Sequence, residues 1–414
     1  MKINSLSILG SLVLLIFACS PPQQETKEMT DDDMRAKAIE LAQKFILTDG
    51  HVDLPYKMVD DGHLKNGTVE DVSVRTEGGN FDFPRAKEGG LDAPFMSIYI
   101  PSRYQETGGA KDFADSLITM VEKIESTYPD HFEVAKDPAK VEKIVGEGKI
   151  ALPMGMENGA PIEDDLANVA YFKKRGISYI TLTHGKDNQI SDSSYDTTRT
   201  WNGLSEFGEQ VVKEMNRVGI MVDISHVSDS AFYDVMAITK APAIASHSSC
   251  RFFTPGWERN MHDDMIKRLA ENEGVIQINF GSSFLDSLSN DKFGQIRDKV
   301  RQYQEDNELA DGDSAISAYN TQLKAELNPY STVERVADHI DRVVELAGID
   351  YVGIGSDYDG VGDSLPEGLK DVSQYPNLIF ELLKRGYSDE DIEKICYKNV
   401  WRVWNKVLEI AEKS

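Results

Sequence analysis

Cysteine is nearly absent from this chain: three occur in 414 residues, and one of them, Cys19, lies close to the N-terminus. The other two, Cys250 and Cys396, can make one bridge at most. That excludes a disulfide framework, and two thiols are too few for a thiolate zinc cluster. Any metal must be held by imidazoles and carboxylates. Histidine is scarce as well, with 8 in the chain, so each one can be weighed individually. Basic residues are outnumbered, 44 Lys and Arg against 70 Asp and Glu, giving a formal charge of −26. Such a surface repels phosphate backbones and excludes nucleic acid as a partner. No internal repeat is present. The one sustained apolar run, Leu6–Phe17, is short for a spanning helix.

That run follows Lys2 and ends in Ile16-Phe17-Ala18-Cys19. A small residue before a cysteine at the end of an apolar segment resembles the lipobox of bacterial lipoproteins, although Phe17 fits it loosely. The resemblance implies a signal peptide over 1–19 and a lipid on Cys19. It also implies an exported protein anchored to a bacterial membrane, facing the periplasm or the cell surface. Residues 20–33 are polar and Pro/Gln/Glu-rich and read as a flexible tether. Residues 34–414 then form a single domain.

Within that domain the most informative stretch is Gly219–Cys250. Two apolar runs, Ile220–Ile224 and Ala241–Ala245, are each followed within two residues by a histidine, His226 and His247. Between them, Ser228–Thr239 has helical spacing behind a Ser/Asp start. Strand, helix, strand is the crossover that parallel strands require. Both histidines therefore leave the sheet at its C-terminal edge, where α/β folds place their chemistry. A lone histidine after a strand is more often structural; two in consecutive units favour a metal site.

The same position recurs along the chain. Ile46–Pro55 ends in His51-Val52-Asp53, whose spacing puts an imidazole and a carboxylate on one side of a strand. Lys149–Met156 is followed by Glu157, either a capping acid or a carboxylate shared by two metals. Ile177–Thr183 ends at His184, and Asp187–Thr200 reads as a polar rim. The run after Tyr351 ends in Asp357 and Asp359 before Gly360. His339 sits alone within a helix, Thr332–Ala347, and reads as structural. Leu285–Asn328 is helical without a strand, an insertion at the rim. Asp60–Gly109 reads as long connections around one strand, Phe95–Ile100. About eight strands, each followed by a helix or a long loop, indicate a parallel α/β barrel.

Taken together, DGHVDLP (49–55), MGMENG (154–159), YITLTH (179–184), DISHVS (223–228), PAIASHSSCR (242–251), RN (259–260) and VGIGSDYDG (352–360) resemble the membrane dipeptidases, over roughly residues 45 to 405. The resemblance implies a (β/α)8 TIM-like barrel of the metal-dependent hydrolase type. It implies two zinc ions, one on His51 and Asp53, the other on His226 and His247, bridged by Glu157 and a hydroxide. It places His184, Arg259 and Asp357 at substrate and transition state, and it implies a dipeptide substrate. Family members are often homodimers; the sequence carries no interface signature.

The chemistry is consistent with that reading. Two metals can lower the pKa of a shared water and polarise a carbonyl. His184 suits the oxyanion. Asp357 suits proton transfer to the leaving amine, with Asp359 as the competing acid. Arg259 suits a terminal carboxylate, which would restrict substrates to short peptides. Departures lie outside the ligands: GKDNQISDSS after His184, Phe284 near a position that is tyrosine in the animal enzymes, and a longer insertion at 286–328. They leave side-chain preference open, including a D-residue at the C-terminal position. Two other readings remain: a related binuclear-zinc amidohydrolase acting on another small amide or lactam, and a non-catalytic peptide- or metal-binding lipoprotein.

Overall fold

The computed structural model describes residues 29–413. Eight parallel strands alternate with helices: β1 Leu47–Val52, β2 Leu91–Tyr99, β3 Met154–Glu157, β4 Ile177–Thr181, β5 Met221–Asp223, β6 Ile244–Ser248, β7 Val275–Ile278 and β8 Val352–Ile354. They follow one another around the sheet in chain order, each crossover being too long for a hairpin. The circle closes where β8 runs on beside β1. There Asp357 N–H donates to His51 O at 3.1 Å, and Asp53 N–H donates to Tyr358 O at 2.8 Å. This is the (β/α)8 barrel expected from the alternation.

Register sets the level of the upper rim. Tyr99 pairs with Glu157, Glu157 with Thr181, and Thr181 with Asp223. Side chains just past these positions therefore emerge at one height. The opposite mouth is plugged by the C-terminal helix Asn399–Glu412. Its Trp401, Val403, Trp404 and Val407 are buried against Ala93, Phe95, Met221, Ile244 and Val275 near the strand starts. Inside the barrel the Tyr179 ring occupies the space over Gly155, where an added Cβ would lie 1.9 Å from the ring. Only glycine fits there.

Several boundaries differ from expectation, for local reasons. The first helix, Asp31–Lys44, starts inside the expected tether, because Thr30 and Asp33 form a capping box. The signal peptide, Cys19 and residues 20–28 lie outside the described residues. The single strand expected after Lys149 is two. Ile150–Leu152 pairs with Phe132–Val134, and only Met154–Glu157 joins the barrel. Pro153 between them has no N–H to continue the ladder. Asp60–Gly109 is more ordered than a set of connections, with short helices at His63–Asn66, Phe83–Gly89 and Arg103–Thr107. Its strand, β2, begins earlier than Phe95. The insertion is a helical hairpin, Ser287–Asp306 and Ser314–Leu327, as expected. Cys250 and Cys396 are buried free thiols. Among the described residues no helix is long and apolar enough to cross a membrane.

His339, fully buried on its helix, is structural as its sequence context suggested. Its Nδ1 accepts the Cys250 N–H at 3.0 Å and its Nε2 donates to Leu285 O at 3.0 Å. It thereby joins the chain beyond His247 to the root of the insertion. Burial pushes its pKa from 6.5 down to about 4. The unfolded chain takes up this proton first, so the stabilisation present at neutral pH is lost as pH falls from 6.5 towards 4. Between pH 7 and 5 the difference is about 2 kcal/mol. Urea unfolding should therefore lose about that much more in the unsubstituted protein than in His339→Gln. Equal pH dependence in both would show that His339 ionises freely in the fold.

Candidate metal centre and active site

The strand ends bring His51, Asp53, Glu157, His184, His226, His247 and Asp357 to one mouth of the barrel. All but His184 are buried. Glu157 is central. Its Oε1 lies 3.1 Å from His226 Nε2, 3.2 Å from His247 Nε2 and 3.5 Å from His184 Nε2. Its Oε2 lies 3.4 Å from His51 Nε2, which is also 3.4 Å from Asp53 Oδ2.

Hydrogen bonds behind the imidazoles determine where their protons are. The Tyr179 hydroxyl donates to Gly50 O at 2.9 Å, so it can only accept from His51 Nδ1, 2.8 Å away. The His51 proton is then on Nδ1, and the Nε2 lone pair faces two carboxylates. Ser246 Oγ donates to Asp223 Oδ2 at 2.7 Å, so it accepts from His247 Nδ1 at 2.8 Å. The His247 Nε2 lone pair faces inward too. His226 Nε2 accepts from the Arg259 guanidinium at 3.0 Å and lies only 2.9 Å from His247 Nε2. Two imidazole lone pairs, on His51 Nε2 and His247 Nε2, thus converge with the carboxylates of Asp53 and Glu157, while the His226 Nε2 lone pair receives the Arg259 guanidinium. His51 Nε2 and His226 Nδ1 have no hydrogen-bond partner among the described residues.

Such a group of acceptors requires a cation. Burial pushes the pKa of His247 to about 3 and that of His226 well below its ordinary value, so both are neutral and available as ligands. Burial opposes ionisation of Glu157, but the surrounding imidazoles hold its carboxyl well below the usual range. For His51 burial acts downward, yet Tyr179, Asp53 and Glu157 outweigh it and raise its pKa well above the ordinary value, so the surroundings favour a positive charge there, a proton or a metal ion. The ligand atoms of His51, Glu157 and His247 lie within 4.8 Å of one another, as do those of Glu157, His184 and His226, and those of His51, Asp53 and Asp357. The residues fit a metal centre, with second partners that orient the His51 and His247 imidazoles.

The two competing acids are separated by their contacts. Asp357 Oδ2 accepts from Asn279 Nδ2 at 2.7 Å, while Asn279 Oδ1 is occupied by the Gly281 N–H at 2.7 Å. Burial and the Asp53 carboxylate push the Asp357 pKa up to about 8. Asp359 instead accepts the Asn80 N–H at 2.7 Å and returns its own N–H to Asn80 Oδ1 at 2.9 Å, a clip between loops. Gly360 makes the approach of the acids possible, since a Cβ there would lie 2.1 Å from Asp53 Oδ2 and 2.4 Å from Asp357 Oδ1. His226 and Asp357 both have left-handed backbones, φ 68° and 64°, a conformation that side-chain-bearing residues seldom adopt outside functional turns.

Arg259 is placed at the site but is held more firmly than a free clamp. It is 3% exposed and donates to Ser248 Oγ and His247 O, each at 2.8 Å, as well as to His226. Its Nε has no partner among the described residues. The cavity is about 460 Å³ and is lined by Asp53, Tyr56, Tyr99, Glu157, His184, Tyr195, Phe284 and Asp357, among others. A neighbouring cavity of about 540 Å³, beside Gln105 and Asp187, contains none of the imidazoles.

Tyr179, Ser246, Asp223 and Asn279 were not singled out by the sequence reading. Ser246 and Asp223 stand inside the matched segments, next to or near the histidines. Tyr179 is 128 residues from His51, and no local pattern links the two.

A family model for membrane dipeptidases (peptidase family M19) matches residues 35–414. Dipeptidase verJ of Clonostachys rogersoniana is 32% identical over 395 residues, covering 92% of this chain and 89% of that protein. Dipeptidase tcpJ of Claviceps purpurea (strain 20.1) is 33% identical over 344 residues, covering 80% of this chain and 70% of that protein. Among solved structures, the probable dipeptidase PvdM of Pseudomonas aeruginosa superposes with a TM-score of 0.77 at 27% identity, covering 92% of this chain and 100% of that one. The chain belongs to the membrane dipeptidase family, peptidase family M19, and is a hydrolase of the metallopeptidase kind.

Proposed function

We propose that this chain hydrolyses dipeptides at a two-zinc centre, with His51 and Asp53 holding one ion, His226 and His247 the other, and Glu157 shared. The observation that carries the reading is the convergence of the Nε2 atoms of His51, His226 and His247 on the carboxylates of Glu157 and Asp53. When bound, zinc would supply a water ionised near neutral pH and an electrophile for the substrate carbonyl. Asp357, oriented by Asn279, takes a proton from the attacking water and gives it to the leaving amine. His184 stands at the open side of Glu157 and donates to the carbonyl oxygen as charge builds there. Arg259 receives the terminal carboxylate of the substrate. Dipeptides with a D-residue at the C-terminal position are included in the reading on the strength of the family resemblance.

The test is metal content together with cleavage of dipeptides and tripeptides, with and without chelator. Two zincs per chain and chelator-sensitive cleavage of dipeptides alone is the expected result. Two zincs without dipeptide cleavage would move the reading to another small amide or lactam. Failure to take up zinc would overturn the two-zinc reading.

Export and a lipid on Cys19 are proposed from the sequence of residues 1–19. Cys19→Ser is expected to shift the protein from the membrane to the soluble fraction. Unchanged membrane retention would exclude Cys19 as the anchor.

A further inference from the structure

Tyr195 and Phe284 line one side of the cavity, and Trp257 packs against both. Tyr195 lies 5.7 Å from the His226 ring and 6.3 Å from Trp257, and Trp257 lies 5.0 Å from Phe284. The Arg259 guanidinium sits 5.2 Å over the Phe284 ring, and the Tyr195 hydroxyl interacts with the same guanidinium. The three rings come from separate segments: the loop after β4, the loop after β6 and the root of the inserted hairpin. Asn260, next to Arg259, donates to Phe284 O at 2.8 Å and ties two of these segments together. Tyr195 is 43% exposed although its loop is well held. Asp187 and Asp192 accept backbone N–H groups of Ser193, Thr200, Trp201 and Gly203 in that loop. The ring is therefore presented to the cavity mouth by a fixed backbone.

We propose that Tyr195 and Phe284, supported by Trp257, form the subsite for the side chain of the dipeptide's C-terminal residue, and that this subsite selects a large apolar or aromatic one. The inference rests on the dipeptidase reading with the substrate carboxylate at Arg259. That carboxylate fixes the adjacent α-carbon, so the side chain it bears reaches the immediate neighbours of the guanidinium. On the cavity side those neighbours are the rings of Tyr195 and Phe284. The carboxylate in the same loop, Glu258, is already paired with Arg199. Apart from Glu157, the acids that line the cavity, Asp53, Asp60, Asp357 and Asp359, arise elsewhere, from the segments that follow the first and last strands. Rings in a partly dewatered mouth favour apolar and aromatic surface and penalise a charged side chain. Filling such a subsite is worth about 10- to 100-fold in kcat/KM over leaving it empty.

The experiment compares kcat/KM for Ala-Gly, Ala-Leu, Ala-Phe, Ala-Asp and the reversed Phe-Ala on the zinc-loaded full chain. Ala-Phe and Ala-Leu should exceed Ala-Gly by at least about 10-fold, Ala-Asp should not exceed it, and Phe-Ala should gain less than Ala-Phe. Trp257→Ala and Phe284→Ala should each bring the Ala-Phe to Ala-Gly ratio close to one. Tyr195→Ala, at an exposed ring, should lower the same ratio and guards against a variant that fails to fold. A ratio near one in the unsubstituted protein, a ratio untouched by all three substitutions, or a larger gain on Phe-Ala would overturn the subsite and leave the dipeptidase reading standing. Absence of cleavage of every dipeptide would overturn that reading and the subsite with it.

Discussion

Asp357→Asn is expected to retain both metal ions and to lose about 10²- to 10⁴-fold in kcat, the range of a lost general acid–base. The substitution suits the site. Asparagine tolerates the left-handed backbone that Asp357 adopts at φ 64°. Its amide oxygen can still accept from Asn279 Nδ2, so the side chain keeps its orientation. What it cannot do is take up and release a proton. The comparison that decides is metal content beside kcat: unchanged turnover would remove Asp357 from proton transfer. Loss of turnover together with loss of metal would make it a ligand, which its place beside His51 and Asp53 makes a real alternative. Asp359→Asn should cost much less, because that carboxylate is engaged by Asn80.

Glu157→Ala should lower bound zinc below two per chain and reduce kcat/KM by more than about 10³-fold, since binding and charge are lost together. Glu157 is the residue whose two oxygens reach both halves of the centre, His226 and His247 through Oε1 and His51 through Oε2. Removing it leaves two separate chelates of lower charge. Glu157→Gln separates charge from volume: the amide fills the same space but brings a donor and no net charge. It should also bind less than two zincs. Metal analysis after dialysis reads both variants, and full retention of two zincs in Glu157→Ala would exclude the bridging role.

Much of this centre was legible in the chain itself, and the reason is periodicity. An apolar run followed at once by a histidine or acid reports a strand and the end of that strand. A parallel barrel collects all such ends at one rim. His51, Asp53, Glu157, His184, His226, His247 and Asp357 could be read in that way. Helix and strand limits were less legible where a single local contact decides them, as the Thr30–Asp33 capping box and Pro153 do. The role of Arg259 was legible only in part. The family resemblance implies a carboxylate clamp, but the bonds of Arg259 to Ser248, His247 and His226 depend on how two neighbouring strands pack.

The amino-acid sequence alone determined the chemistry available. So few thiols leave imidazoles and carboxylates as ligands, and the alternation of strands and helices indicates the parallel barrel that the structure shows. The tertiary structure alone decided which partner each imidazole nitrogen and each of the two acids meets. Tyr179 orients His51, Asp223 orients His247 through Ser246, and Asn279 holds Asp357 while Asn80 occupies Asp359. These bonds mostly join residues far apart in the chain, across neighbouring or facing strands. Sequence periodicity reports the face of a single element, and such bonds exist only once the barrel has closed and set the heights of its strands.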